Sequence, residues 1–232
     1  MFSKVFLAMT AREMEGALPN RVAYMACHFS PYSKGLSNAP RTLPENSLLL
    51  VDDSMPVQSH EPNLVVSQLK GLVERFSVSA VLLDFQREKN ELAADMVSAL
   101  LHALPCPVAV TECYAKALGC PVFLSPPPVN VALGDYLKDW LKQGVYLELA
   151  PEARRFTVTE AGCTVTPLPV HTRPALPLKD ERLRCRYGVE VFEDRAIFTL
   201  CRTGEDLAAL AEEAIGLGVD SVVGLYQELN GS

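Results

Sequence analysis

The chain has 232 residues, 49% of them apolar, and a formal net charge of -7, a size that suits one α/β barrel or two smaller domains. The acidic balance argues against nucleic acid or an anionic membrane surface as a partner, since either would call for a basic patch. No apolar run of about 18 residues occurs, so no membrane span is expected; the start, "MFSKVFLAMTAREME", lacks an h-region and a cleavage site, so no signal peptide is read and the cytoplasm is the expected location.

Short apolar runs alternate with helical patterns. In chain order the candidate strands are 4–9, 21–29, 47–53, 80–86, 107–112, 121–125, 145–149 and 221–228. The first of these has a competing reading, a helix over 4–16. Several runs are continuously apolar and rich in β-branched residues, as parallel strands covered on both faces are. Three amphipathic stripes lie between them: Val65, Leu69, Leu72 and Phe76; Leu92, Met96, Leu100 and Ala103; Leu207, Leu210, Ala214 and Leu217. The last is opened by "TGED", where Thr203 caps the helix and Asp206 answers it. Strand and helix in alternation imply right-handed crossovers and a parallel sheet. Eight strands at this length favour a closed (β/α)₈ TIM-like barrel over an open doubly wound sheet.

One region breaks the rhythm. "RRFTVTEAGCTVTPL" and "LRCRYGVEVFEDRAIFTLCRT" alternate at period two around the turns "EAG" and "FED", which predicts antiparallel hairpins. The Pro-rich stretch 167–182 between them reads as an exposed loop. Residues 152–202 are therefore expected to form a small β insertion between the seventh strand and its helix, within a single domain spanning 1–232.

The cysteines number seven, with no C-x-x-C, and fit reduced, mostly buried thiols. His28, His60, His102 and His171 show no metal-ligand spacing with them. No Walker loop, dinucleotide fingerprint, nucleophile elbow or H-E-x-x-H occurs, so no cofactor and no metal is expected.

Chemistry-bearing residues gather at the strands' carboxyl ends, where barrels of this kind carry their sites. These are Asp52 and Asp53, Asp84 and Glu88, Glu112, Glu148, and Glu228. In "SVSAVLLDFQREKN" (77–90), Val81, Leu83 and Phe85 share one face of an extended chain, and Leu82, Asp84, Gln86 and Glu88 share the other. The apolar face belongs against helices and the other against the barrel axis. The same parity turns Tyr146 and Glu148, and Tyr226 and Glu228, to the axis. Crowded carboxyl groups there repel one another and lose solvent, so at least one should have a raised pKa. Such a mouth suits glycoside hydrolysis, in which one carboxyl group protonates the leaving oxygen and a second group stabilises an oxocarbenium-like centre. Bland readings compete: polar barrel filling for Asp84, Gln86 and Glu88, loop capping for Asp52 and Asp53, and a plain exposed loop for the stretch holding His28 and Tyr32.

"FSVSAVLLDFQRE" resembles the strand-four signature of the chitinase-like glycoside hydrolases (family eighteen), with its D-x-x-D-x-D-x-E pattern. On that register the resemblance puts Glu88 on the catalytic acid and Asp84 on its supporting partner. Gln86 falls on the Asp that helps the substrate's N-acetyl group attack the anomeric carbon. "GLGVDSVVGLYQEL" is similar to the closing strand, with Tyr226 as an aromatic floor under the sugar. Tyr32, Asp53, Glu112, Glu148 and Glu228 complete the expected substrate-binding set. Val81 stands where the pattern begins with Asp, the middle glycine is not kept, and Gln cannot switch charge as Asp does. The resemblance thus implies a glycoside hydrolase-like protein with an oligosaccharide or small-molecule ligand. The alternative is a catalytically inactive barrel that binds such a ligand. A barrel enzyme for phosphorylated metabolites is disfavoured, because no Gly-rich phosphate loop lies near the last two strands. No feature of the sequence speaks to oligomeric state.

Overall fold

A computed structural model describes residues 2–57, 60–169 and 176–230. In chain order the first elements are β1 (Val5–Met9), β2 (Val22–Phe29), β3 (Leu36–Ser37), β4 (Leu48–Asp52), α1 (Pro62–Phe76), β5 (Ala80–Asp84) and α2 (Glu91–Ala103). Then come β6 (Val108–Thr111), α3 (Glu112–Leu118), β7 (Val122–Leu124), α4 (Leu133–Leu137) and β8 (Val145–Leu149). Strands β9 (Ala153–Thr159), β10 (Gly162–Pro167), β11 (Leu178–Asp180), β12 (Cys185–Val191) and β13 (Arg195–Cys201) precede α5 (Gly204–Gly216), β14 (Ser221–Leu225) and α6 (Tyr226–Asn230).

Eight of these strands are parallel and close on themselves in the order β1, β2, β4, β5, β6, β7, β8, β14, with β14 returning to β1. This is the (β/α)₈ barrel that the alternation of patterns predicts. Val5–Met9 is a barrel strand paired on both sides, which removes the helical reading of 4–16. The first true helix appears only after the third barrel strand; a 3-10 turn at Glu13–Glu15 and a loop carrying β3 take the place of the first two. No helix among the described residues is long and apolar enough to cross a membrane.

Strand parity divides the core in two. Phe6, Ala8, Ala23, Leu48, Leu50, Ala80, Leu82, Ala109, Phe123, Tyr146 and Val223 fill the barrel axis. Large and small side chains alternate there, as a closed eight-stranded barrel requires. The other parity, including Val81, Leu83 and Phe85, packs against the helices. On α1 Val65 and Leu69 of the expected stripe are buried together with Val73, and Leu72 and Phe76 are half-buried against the same core. On α2 the buried face is Ala93, Met96, Val97 and Leu100, so Met96 and Leu100 stand as the stripe predicts while Leu92 is 53% exposed. At the start of α5 the Thr203 amide donates to Asp206 Oδ2 at 2.8 Å, as the capping signal predicts.

Between β8 and α5 stands a five-stranded antiparallel sheet in the order β10, β9, β13, β12, β11. The two hairpins turn at 160–161 and 192–194. Part of the stretch read as a loop is strand: Leu178–Asp180 pairs with β12 as an edge. The middle of that loop, 170–175, with His171, lies outside the described residues. One face of the sheet carries Phe156, Phe198, Tyr187 and Leu200. Its barrel-proximal half is buried with Val129 and Cys185.

The last strand corrects the sequence reading. It ends at Leu225, and residues 226–230 turn into α6. Leu225, not Tyr226, packs against the axial core, and Tyr226 packs against the helix-side core. The cause is the fold-back of α6 onto the strand. A Cβ on Gly224 would meet Leu229 Cδ1 at 2.5 Å and the Leu149 carbonyl at 3.0 Å, so glycine is what lets buried Leu229 close over β14.

Candidate active site

The carboxyl end of the barrel is built from strands whose inward parity turns polar at their last residues. On the third and fourth barrel strands Asp52 and Asp84 are register partners following Leu50 and Leu82. A bulge in β2 between Tyr24 and Cys27 shifts the parity there, so that His28 becomes the partner of Asp52. On the seventh strand Glu148 follows Tyr146 toward the axis.

These carboxyl groups perturb one another. Burial pushes the Glu148 carboxyl up to about 7, and the charges of Asp84 and Glu228 push in the same direction. The Asp84 carboxyl is also raised, first by burial and then by Asp52 and Asp53, against a hydrogen bond from Gln86 Nε2 that favours its charged form. One group at the mouth is thus poised to hold a proton near neutrality beside a second carboxyl group, as a general acid must be.

Tyr136 belongs to the same rim. Its hydroxyl donates to the Ser125 carbonyl at 2.9 Å, at the end of the sixth barrel strand. Burial raises the phenol to about 12, and the charges of Glu112 and Glu148 add to the rise. Local pattern on the short α4 gives no sign of this role, and it was not among the expected site residues.

The fourth strand leaves the axis abruptly. Phe85 is 2% exposed and wedges between Phe29 and Tyr114, with ring centroids 5.7 and 5.9 Å away. Its carbonyl accepts the Thr111 hydroxyl at 2.8 Å. Asp53, fully buried, accepts the Gln86 amide at 2.8 Å and the Arg87 amide at 3.2 Å through its two carboxylate oxygens. Both oxygens of Asp53 therefore brace this turn, while Asp52 closes a local turn by accepting the Ser54 amide. Beyond the braced turn Glu88 is exposed. It lines a surface hollow of about 510 Å³ with Asp53, Pro56, Val57, Arg87, Lys89 and Asn90.

The expected residues therefore fall into two groups. The structure brings Asp84, Glu148 and Glu228 within reach of one another's charge, with exposed Gln86 bonded to Asp84, and leaves Glu88 exposed on the loop. Glu112 is exposed at the first turn of α3, and its charge helps raise the Tyr136 phenol. Tyr226 lies on the helix side of the wall, and Tyr32 is 96% exposed at a loop tip.

No protein-family model matches the sequence, and neither does any curated protein. Solved structures do match the fold. The spore cortex-lytic enzyme SleL of Bacillus cereus superposes with a TM-score of 0.58 at 9% identity, over 95% of this chain and 70% of that one. A glycoside hydrolase family 18 N-acetylglucosaminidase from Paenibacillus barengoltzii gives 0.56 at 8% identity, over 97% of both chains. A chitinase-like agglutinin from Robinia pseudoacacia gives 0.53 at 11% identity, over 91% of both. The chain therefore has the TIM-barrel fold that these structures share. It is the fold that the strand-four resemblance implies.

Proposed function

We propose that the protein acts on a carbohydrate at the carboxyl end of the barrel, as a glycoside hydrolase-like enzyme. The observation that carries this is the inward register of Asp84 and Glu148, each following an axial residue, Leu82 and Tyr146, where burial and the charges of Asp84 and Glu228 raise the Glu148 carboxyl to about 7. In its neutral form Glu148 donates a proton to the leaving glycosidic oxygen. Asp84, ionised, steadies the positive charge that develops at the anomeric carbon. Gln86 holds the orientation of Asp84 through its amide. An amide has no charge to lend to an N-acetyl group, so the stabilising charge on this reading comes from Asp84.

The resemblance supports a different acid, Glu88, which would have to reach the axis by movement of the loop at 85–90. The two assignments part on a pair of substitutions. Hydrolysis of aryl glycosides and of N-acetylglucosamine oligomers is measured for the parent chain, Glu148→Gln and Glu88→Gln. Loss of roughly a hundredfold or more in turnover, the scale of a general acid, is expected for Glu148→Gln.

The second reading is a binding-only barrel. It is favoured by the braced turn at 85–87, beyond which Glu88 is exposed on the loop. Saturable sugar binding by the parent chain with no turnover above background would select it. Neither turnover nor binding would reject both.

A further inference from the structure

Arg202, at the end of β13, is 1% exposed and among the largest fully buried side chains of the molecule. Its guanidinium donates to the carbonyls of Pro127, Pro128, Val131 and Leu183, the last three at 3.2, 3.4 and 3.1 Å. Its own amide donates to the Glu152 carbonyl at 2.9 Å, and Glu152 Oε2 accepts the Val129 amide at 2.6 Å. Burial lowers the pKa of the guanidinium, opposed by the charge of Glu152; an arginine remains charged even so.

The segment held in this way begins at the barrel rim. "SPPPVNV" leaves β7 at Ser125, and its three consecutive prolines carry no N–H. The Pro128 carbonyl accepts the Val131 amide at 3.0 Å, and a buried carbonyl left unanswered is costly. The insertion supplies further donors through Arg202. A planar guanidinium can serve several carbonyls at once, which a single ammonium nitrogen cannot do in the same geometry. The far end of the segment leads into α4, whose Tyr136 returns to the Ser125 carbonyl.

We propose that Arg202 is a positioning residue of the mouth: by holding the Pro127, Pro128 and Val131 carbonyls it fixes the rim at 125–131 and thereby sets Ser125 and the Tyr136 hydroxyl beside Glu148. The insertion is then a brace for the site and more than an appendage. The inference rests on reading the mouth as the functional site.

The test uses the full chain with Arg202→Met and Arg202→Lys. Amide exchange is followed at Val129 and Val131. The carboxyl titration of Glu148 is read by NMR together with Asp84, Glu228 and Glu112, the acids around it, and with the Tyr136 phenol. A rim set free admits water, so Arg202→Met should speed exchange at both amides by roughly tenfold or more. It should also move the Glu148 midpoint down by about half a pH unit or more, toward the ordinary carboxyl range. Arg202→Lys, which keeps the buried charge with fewer donors, should fall between; it carries the same test alone if the Met variant does not fold. Faster exchange with an unmoved Glu148 midpoint would reduce Arg202 to a structural clamp and overturn the proposal. Unchanged exchange would overturn it as well. Neither readout depends on sugar turnover or binding, so failure of the carbohydrate reading would be seen separately.

Discussion

The fourth and seventh barrel strands both end in an alternating polar pattern, yet the structure treats them oppositely. "VYLELA" stays extended through Glu148, which remains turned to the axis and loses most of its solvent. "VLLDFQRE" stays extended only to Asp84. Phe85 is then drawn outward into an aromatic cluster, Asp53 catches the next two amides, and Glu88 emerges into solvent. The difference teaches that position on a strand pattern does not give a carboxyl group its chemistry. Burial and neighbouring charge do, and these depend on where the chain is pinned.

The largest expected effect comes from removing that pin. Phe85→Ala deletes a ring packed between Phe29 and Tyr114 and should cost about 3–5 kcal/mol, the usual range for a fully buried aromatic. Urea unfolding at fixed pH checks this. A loss under about 1 kcal/mol would mean that the turn is held by its hydrogen bonds alone.

Next comes the pH dependence set by the seventh strand. The folded pKa of Glu148, about 7, lies above its ordinary value of 4.5. Between those values the native state keeps a proton that the unfolded chain has lost, so stability falls as pH rises through the window and levels off above it. The penalty above the window is on the order of 2–3 kcal/mol, discounting the ideal linkage value for water at the mouth. Glu148→Gln removes it. The variant should be more stable than the parent at pH 8 and should lose this advantage near pH 4.5. Parallel stability curves for the two proteins across that range would show that Glu148 is solvated.

Much of this architecture is legible in the sequence because parallel strands advertise themselves as continuous apolar runs. The inner and outer faces of "AVLLD" follow from period two alone, and so does the inward turn of Glu148. The two hairpins of the insertion were equally visible around "EAG" and "FED". What escaped depends on contacts distant in sequence. Extending the last strand to 228 turns Tyr226 to the axis, but the strand stops at Leu225, and nothing local reveals that Leu229 folds back over Gly224. The α2 stripe holds at Met96 and Leu100, but the buried face takes Ala93 where the pattern has Leu92, since both are apolar and only packing chooses between them. Tyr136 and Arg202 act through partners 11 and more than 70 residues away, and no window of sequence displays such a pairing.

A smaller effect concerns Asp53. Replacing it by Ala strips the partners from the Gln86 and Arg87 amides at a buried position. The expected cost is about 1–3 kcal/mol, the range for leaving buried polar groups unpaired. Faster exchange of those two amides should accompany it. If exchange there is unchanged, the aromatic wedge alone holds the turn.

The smallest effect on stability is expected at Glu88, and that makes it the most informative. It is exposed on the loop. Glu88→Ala should therefore change unfolding free energy by no more than about 0.5 kcal/mol, as surface substitutions usually do. Any change it produces in sugar turnover or binding then cannot be traced to a damaged fold. If turnover falls a hundredfold or so while stability is unmoved, the loop at 85–90 delivers Glu88 to the substrate and the strand-four resemblance assigns the acid. If turnover is kept while Glu148→Gln abolishes it, the chemistry belongs to the buried carboxyl group of the seventh strand. The comparison between the two strand ends would then extend from burial to reaction.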